Sequence, residues 1–225
     1  ADVIVAGGVE FLTSIRMGTP EQYQCKELKE IDDGPYLAMG ITAENVALRY
    51  GVSRAEMEAL AVESHRRAHA AQEAGVFDAE IVPVNAVQED GSTALFRRDE
   101  GIRPGTTAEK LAELKPCFLE DGLVTAATSS QVSDGAAAVV LMSRENAEQL
   151  GVRPIARFLG FAVAGVDPSY MGIGPIYAVP KIMARTGLTV ADMDVIELNE
   201  AFAAQAIPCI RELGIDTQRQ LNPNG

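Results

Sequence analysis

A predicted strand passes directly into a predicted helix within Asp194-Val195-Ile196-Glu197-Leu198-Asn199-Glu200-Ala201-Phe202-Ala203-Ala204-Gln205. The apolar run 195–198 favours a buried strand, and the small residues after Glu200 favour a helix. Asn199 and Glu200 thus bring a carboxamide and a carboxylate to the carboxyl end of a strand, where ligands bind in open α/β sheets. Asn199 either serves such a site or only caps the helix, and the spacing leaves both interpretations open.

Four further segments accompany this stretch. In chain order they are Val5-Ala6-Gly7-Gly8-Val9-Glu10, Met39-Gly40-Ile41-Thr42-Ala43-Glu44-Asn45-Val46-Ala47, Ser133-Asp134-Gly135-Ala136-Ala137-Ala138 and Met171-Gly172-Ile173-Gly174-Pro175. Together with Asn199-Glu200-Ala201-Phe202-Ala203 they resemble segments of the thiolase family, in the thiolase order, across essentially the whole chain. Thr128-Ser129-Ser130 and Ile207-Pro208-Cys209-Ile210 resemble the degradative 3-ketoacyl-CoA thiolases more than the biosynthetic acetoacetyl-CoA enzymes.

The alternation of predicted strands and helices indicates an α/β fold with covered sheets. The resemblance implies the layered thiolase fold, present in part. Residues 1–152 would form a partial N-terminal thiolase domain, and residues 153–225 would begin the C-terminal domain. The helical and irregular stretch from about 17 to 122 predicts an inserted, mainly helical loop domain, to which the resemblance assigns CoA binding.

Local signals predict individual elements. Buried strands are expected over 2–6, 136–142 and 155–164, with an edge strand over 81–84 and a tight turn at Gly7-Gly8. Four helices are expected to begin at N-terminal caps: Thr42, Ser53 of the capping box Ser53-Arg54-Ala55-Glu56, Thr107 and Ser143. A fifth helix is expected over 176–186, with Gly187 ending it.

Composition excludes several classes of protein. The chain of 225 residues is long enough for a real core, and 47% apolar with 23% charged residues is ordinary for a globular domain. No apolar run reaches membrane length, and no signal peptide opens the chain. The net charge of −13 argues against general nucleic-acid binding. It leaves room for one acyl-CoA site, because a few arginines or backbone N–H groups suffice for a phosphate.

The three cysteines, Cys25, Cys117 and Cys209, are far apart in the sequence. Their odd number and the absence of a Cys-x-x-Cys pair argue against a disulfide framework. We expect each to be a small buried hydrophobic residue rather than a nucleophile.

His65 and His69 lie four residues apart on the predicted helix after Ser53, a spacing that can hold a metal ion. Arg66 and Arg67 between them would repel a cation, and no third ligand is evident. A solvated helix face is therefore favoured, and no metal site is predicted.

The resemblance assigns roles to several residues. Asn199 matches the thiolase asparagine that holds an oxyanion-hole water, and Phe202 belongs to the same pocket. Ser129 and Ser130 match the groove for the pantetheine arm of CoA, although sequence alone favours a polar turn there. Met171 matches a residue that faces the reacting centre from the acyl pocket, where a plain turn is the alternative.

Two residues of the inserted domain complete the predicted site. Met39 and Arg103 would approach Ser129 and Ser130, with Arg103 contacting the adenosine or phosphate of CoA; an exposed structural arginine is the alternative. Some biosynthetic thiolases carry His immediately before Met-Gly, where this chain has Ala38. This departure favours longer acyl substrates.

The chain begins inside a predicted strand and stops in a predicted turn, so we expect it to be an internal piece of a longer, full-length protein. The resemblance implies that this protein cleaves 3-ketoacyl-CoA with CoA, or runs the reverse condensation. The family's nucleophilic Cys would lie upstream of this chain, and its Gly-His-Pro motif and second Cys downstream. The alternative is a thiolase-like module that binds acyl-CoA or lipid without chemistry, and the flanking sequence would discriminate between the two.

The expected partners are acyl-CoA and CoA, with CoA as a substrate and no cofactor. The resemblance further implies a homodimer or homotetramer of the full-length protein, no membrane span, and a cytoplasmic location in a bacterium or an organellar one in a eukaryote.

Overall fold

The computed structural model describes residues 2–14 and 23–225; Met17, near the predicted start of the insertion, lies outside these ranges. The described strands are β1 (Val3–Glu10), β2 (Val84–Val87), β3 (Thr93–Phe96) and β4 (Gly135–Met142). The described α-helices are α1 (Lys26–Ile31), α2 (Met39–Tyr50), α3 (Arg54–Glu73), α4 (Ala108–Ala112), α5 (Arg144–Gln149), α6 (Gly174–Thr186) and α7 (Ala203–Leu213). No helix within the described ranges is long and apolar enough to cross a membrane.

Strands β1 and β4 form an antiparallel two-stranded sheet whose register runs from Val3 opposite Met142 to Glu10 opposite Gly135. The predicted turn at Gly7-Gly8 is wrong, because β1 continues through both glycines. Gly7 instead allows a close approach of the strands: a Cβ there would lie 2.8 Å from the carbonyl oxygen of Ala137.

The predicted burial of these two strands is also wrong. Both are largely exposed, and Val5 and Val9 of β1 are 72% and 80% accessible. A strand is buried only when another layer covers its face, and the described residues leave most of this sheet uncovered. Apolar sequence therefore predicted the strands correctly but not their surroundings.

The predicted strand over 155–164 does not form. Its apolar side chains are exposed, as at Phe158, which is 77% accessible. The side chains of Lys181 and Arg185 on α6 donate to the carbonyl groups of Val163 and Phe161 over 3.1 and 2.9 Å. A strand requires a neighbouring strand for its backbone hydrogen bonds, and no described strand pairs with this segment.

The core lies where α2, α3 and α7 meet. Small side chains let these helices approach closely, and larger ones fill the remaining space. The buried cluster consists of Ala43, Ala47, Val52, Met57, Val124, Ala203, Ala204 and Ile207. Helix α7, which follows Asn199 and Glu200, is thus held against α2 and α3, both of which lie in the region predicted to be an insertion.

Helix boundaries follow local chemistry where a cap is present. The capping box at the start of α3 is confirmed, since the Ser53 hydroxyl accepts from the Glu56 N–H over 3.3 Å and the Glu56 carboxylate accepts from the Ser53 N–H over 2.9 Å. Gly51, with φ of 61°, ends α2. The predicted start of α2 at Thr42 is wrong: the helix begins at Met39, and the Thr42 hydroxyl donates to the Met39 carbonyl over 2.8 Å.

The remaining local predictions agree in kind and differ in extent. Thr107 and Ser143 cap α4 and α5 as predicted, and Gly187, with φ of 73°, ends α6. The strand expected over 81–84 lies three residues later as β2, because Pro83 has no N–H for a ladder. It pairs with β3 in an antiparallel hairpin that the sequence did not predict.

A buried carboxylate joins α2 to the segment that leads into the site. Glu44 is buried, and its side chain accepts from the backbone N–H groups of Leu123 and Val124 over 2.9 and 2.8 Å. Hydrogen bonds to a charged acceptor are each worth about 1.5–3 kcal/mol. Glu44 therefore fixes the start of the segment that leads to Ser129 and Ser130.

Candidate functional site

A groove of about 760 Å³ lies between α3, the small-residue segment 127–133 and the stretch 197–203. Three predicted site residues, Ser129, Ser130 and Asn199, line it together. Ser64 and His65 of α3 contribute a further wall. The backbone of Ser129 bridges that of Phe202, and the Ser130 N–H donates to the Ala201 carbonyl over 2.9 Å, so these two segments are joined directly.

Asn199 lies on the groove, but the predicted buried strand before it does not form. The run 195–198 forms only a one-residue parallel bridge, Ile196 with Leu221, and Asn199 is exposed. The alternative that Asn199 caps the helix is also wrong, because the N-cap of α7 is Phe202. The backbone carbonyl of Asn199 accepts from Gln205 over 3.4 Å. Its side-chain amide makes no hydrogen bond within the described part of the chain and is available to a ligand.

Met171 and Phe202 are not among the residues that line this groove. Phe202 packs its ring edge-on against Phe118, with centroids 5.9 Å apart. Met171 is exposed on a 3-10 turn, and the next residue, Gly172, contacts α7 so closely that a Cβ there would lie 2.6 Å from Cγ of Gln205. Of Asn199, Met171 and Phe202, which were expected in one pocket, only Asn199 therefore lines the groove. The roles assigned to Met171 and Phe202 stay predictions.

The region predicted to be an insertion reaches the groove just before Arg103. Gly101 and Ile102 line the groove, and the Arg103 N–H donates to Nδ1 of His65 over 3.3 Å. Met39 is elsewhere, at the first turn of α2, where a Cβ on the neighbouring Gly40 would overlap the ring of Phe118. Only the Arg103 side of the predicted CoA contact therefore lies beside Ser129 and Ser130.

His65 is a neutral groove residue. Two effects lower the pKa of His65 from 6.5: burial, which is the larger, and the positive charge of Arg103. Because Nδ1 accepts the Arg103 N–H, the ring proton lies on Nε2. His69, the other half of the considered metal pair, has a buried Nδ1 without a hydrogen-bond partner among the described residues. These residues contain no group of three or more His, Cys, Asp or Glu side chains placed for a metal ion.

The cysteines differ from one another. Cys209 is buried as expected, burial raises its pKa to about 11, and its thiol contacts the Gly172 carbonyl at 3.6 Å. Cys25 and Cys117 are exposed, so their predicted burial is wrong. At Cys117 it is the backbone that is used, with its N–H donating to the Val124 carbonyl over 3.0 Å. None of these three cysteines is among the residues that line the groove.

An ion pair beside the groove was not identified from the sequence. Glu63 and Arg67 lie four apart on α3, with a Glu63–Arg67 distance of 2.6 Å. Arg67 also donates to the carbonyl groups of Leu221 and Thr217 over 2.5 and 2.8 Å. The Glu-x-x-x-Arg spacing is a known helix signal and could have identified the pair. Arg67 thus ties α3 to the segment 217–222, rather than lying on a solvated face.

The ion pairs of Glu63 with Arg66 and Arg67 should make the stability of the protein depend on pH. Hydrogen bonds from Arg66 and Arg67 lower the Glu63 pKa from 4.5 to about 2. The resulting stabilisation is present above pH 4.5 and is lost as the pH falls toward 2. Glu63→Gln should lower the urea midpoint of the full-length protein at pH 7 and flatten its decline over that acid range. Glu148→Gln, on the exposed face of α5, should change neither; equal acid slopes for Glu63→Gln and wild type would refute the assignment.

Comparison with known proteins identifies the family. Residues 1–145 match the thiolase N-terminal domain, and residues 152–225 match the thiolase C-terminal domain. The chain therefore belongs to the thiolase family, as its motifs and their order indicate.

The similarity extends over the whole chain. It is 47% identical to a 3-ketoacyl-CoA thiolase of Bacillus subtilis and 46% identical to the peroxisomal 3-ketoacyl-CoA thiolase B of Rattus norvegicus. In each case all of this chain is matched, and it spans 59% and 54% of those relatives. The crystal structure of the dimeric peroxisomal thiolase of Saccharomyces cerevisiae superposes with a TM-score of 0.92 at 41% identity, covering 100% of this chain and 57% of that one. The predicted α/β thiolase fold is thus confirmed.

Proposed function

We propose that the full-length protein is a thiolase that cleaves 3-ketoacyl-CoA with CoA, giving acetyl-CoA and a shortened acyl-CoA, and that this chain supplies its acyl-CoA groove. The observation that supports this most strongly is the convergence of Ser129, Ser130 and Asn199 on one groove beside Arg103. Relatives named 3-ketoacyl-CoA thiolase support the substrate class. CoA enters as a substrate, and the proposal needs no cofactor or metal.

The hydrogen-bonding state of the two serines suits an extended amide chain. The Ser129 hydroxyl donates to the Thr125 carbonyl over 2.8 Å, so it is left to accept from an N–H of pantetheine. The Ser130 side chain is exposed and has no hydrogen bond within the described ranges, so it can donate to a pantetheine carbonyl. Arg103, at the same edge, supplies a positive charge for a phosphate group of CoA.

Asn199 suits the stabilisation of an oxyanion. In the proposed reaction a cysteine thiolate attacks the 3-keto carbon, and the bond between C2 and C3 breaks. The electron pair passes to an acetyl-CoA enolate, which takes a proton. CoA thiolate then releases the acyl group from the cysteine. A preorganised amide that holds a water at the enolate oxygen stabilises the negative charge as it develops, and the unengaged amide of Asn199 can do this.

The acyl chain, assembly and compartment follow as further parts of the proposal. Ala38 before Met39 leaves more room than histidine would, which favours longer acyl groups. A homodimer or a homotetramer is proposed, since the yeast relative is dimeric. The compartment would follow the source, cytoplasmic in a bacterium and organellar in a eukaryote, because the relatives include a bacterial and a peroxisomal form.

The second candidate is a module that binds acyl-CoA without chemistry. It is favoured by one observation: none of the three cysteines places a thiolate on the described groove. A thiolysis assay on the full-length protein separates the two functions. Loss of 3-ketoacyl-CoA upon addition of CoA is expected; binding of acyl-CoA without turnover would establish the module and overturn the enzyme.

A further inference from the structure

Asn222 occupies an unusual position opposite the stretch that carries Asn199. Its backbone lies in the left-handed region, with φ of 38°, and its residue surface is only 4% accessible. Asparagine tolerates this conformation better than most residues. The preceding residue, Leu221, forms the parallel bridge with Ile196, and the chain then turns away at Pro223.

The side chain of Asn222 makes the hydrogen bonds that backbone groups would make in the next step of a parallel ladder. In the bridge, the Ile196 N–H donates to the Gln220 carbonyl over 2.8 Å, and the Asn222 N–H donates to the Ile196 carbonyl over 2.9 Å. The next step of a parallel ladder would pair Leu198 with backbone groups beyond Leu221. Instead, Oδ1 of Asn222 accepts from the Leu198 N–H over 2.7 Å, and Nδ2 donates to the Leu198 carbonyl over 2.9 Å.

The same amide also holds the residue that follows Asn199. Nδ2 of Asn222 donates its second proton to the Glu200 carboxylate over 2.7 Å. Both donors and the acceptor of the amide are thus used, and only one orientation of the amide satisfies all three bonds. Asn199 lies between the two residues that Asn222 holds, while its own side chain remains unengaged among the described residues.

We propose that Asn222 is a positioning residue for Asn199, an inference that rests on the thiolase function proposed above. It fixes the backbone on both sides of Asn199 and so sets the direction in which the catalytic amide meets the groove. Arg67 reinforces this arrangement, because its guanidinium donates to the carbonyl groups of Leu221 and Asn222 over 2.5 and 3.2 Å. A displacement of about 1 Å in a catalytic group can reduce the rate about 100-fold.

The chemistry of the contact offers a selective test. Asn222→Asp places an acceptor oxygen against the Leu198 carbonyl and the Glu200 carboxylate, both of which are acceptors, so the contact becomes repulsive. Adding Glu200→Gln supplies a donor that can pair with Asp at 222, and part of the arrangement is restored. A residue that served only general stability would show no such recovery in kcat.

The experiment measures kcat, KM for CoA and hydrogen–deuterium exchange of the segment 195–202 in the full-length protein. Asn222→Asp should lower kcat about 10- to 100-fold, leave KM for CoA nearly unchanged and speed exchange in this segment. The double variant should recover at least part of kcat and of the protection. Asn222→Gly, which keeps the left-handed backbone and removes the amide, should act in the same direction if Asn222→Asp does not fold. Asn146→Asp is the matched control, since its amide donates to the Asp2 carbonyl over 2.8 Å, at the β1 end of the molecule.

Each outcome is decisive. Unchanged kcat or unchanged exchange in folded Asn222 variants overturns the positioning role, as does a loss of kcat that Glu200→Gln leaves unrelieved. If wild type lacks thiolysis while the Asn222 variants still lose protection over 195–202, the proposed function fails and the positioning of Asn199 by Asn222 stands.

Discussion

Purified alone, the 225-residue chain should catalyse no thiolysis, whereas the full-length protein should turn over 3-ketoacyl-CoA. Thiolysis needs a positioned thiolate to carry the acyl group. At pH 7 Cys209 is a protonated thiol, since burial raises its pKa to about 11, and Cys25 and Cys117 lie off the groove as described. Asn199 with its water could stabilise an enolate but could not create one.

The measurement is loss of 3-ketoacyl-CoA on addition of CoA, made on both proteins at equal concentration. If the 225-residue chain turns over substrate and loses this activity when Cys25, Cys117 or Cys209 is replaced with serine, the nucleophile is that cysteine of this chain. The expectation that the nucleophile lies outside this chain would then be wrong. The isolated chain is also expected to be poorly soluble, because Val5, Val9 and Phe158 are exposed. Circular dichroism should therefore accompany the assay, so that an unfolded sample is not taken for an inactive one.

Asn199→Ala in the full-length protein should lower kcat about 100- to 1,000-fold, the usual cost of removing one oxyanion-hole donor. KM for the acyl-CoA should change little, because the contribution is made in the transition state. Asn199 is exposed and its side chain has no hydrogen bond among the described residues, so this substitution should leave the thermal midpoint unchanged.

The control for this variant is Asn85→Ala, on the exposed hairpin strand β2, which should retain wild-type kcat. A tenfold or larger rise in KM with kcat intact would instead place Asn199 in substrate binding, and wild-type values for both constants would remove it from the site.

The sequence predicted the ends of helices correctly where the stabilising interaction joins residues close together in the chain. The capping box at Ser53 and Glu56 closes within three residues, and Gly51 and Gly187 end their helices through their own backbone conformation. The Thr42 prediction failed because the helix lacks a side-chain cap: Ala38 occupies that position, and the helix extends back to Met39. Helix ends without caps are poorly determined by sequence.

Strands could be predicted only as tendencies. The segments 155–164 and 195–198 are apolar enough for strands, yet only Ile196 finds a parallel partner in the described structure. Pairing depends on a distant neighbour that the local sequence does not specify. Strands β1 and β4 do form, because each pairs with the other, but they are exposed because no described layer covers most of their sheet.

The family motifs named the residues of the groove only in part, and did not reveal what supports it. They predicted Ser129 and Ser130 beside Met39 and Arg103, and Asn199 beside Met171 and Phe202. In the structure Ser129, Ser130 and Asn199 line one groove together, and Met39, Met171 and Phe202 do not line it. Asn222 was not identified, because Asn-Pro-Asn-Gly is typical of a turn and its side-chain contacts to Leu198 span 24 residues.

The central claim, that this chain supplies the acyl-CoA groove of a thiolase, is tested most directly by a crystal structure of the full-length protein with CoA. The pantetheine arm should lie along Ser129 and Ser130, with the CoA phosphates on the Arg103 side and the thiol end directed toward Asn199. CoA bound away from this groove, with Ser129, Ser130 and Asn199 left in contact with solvent, would contradict the claim.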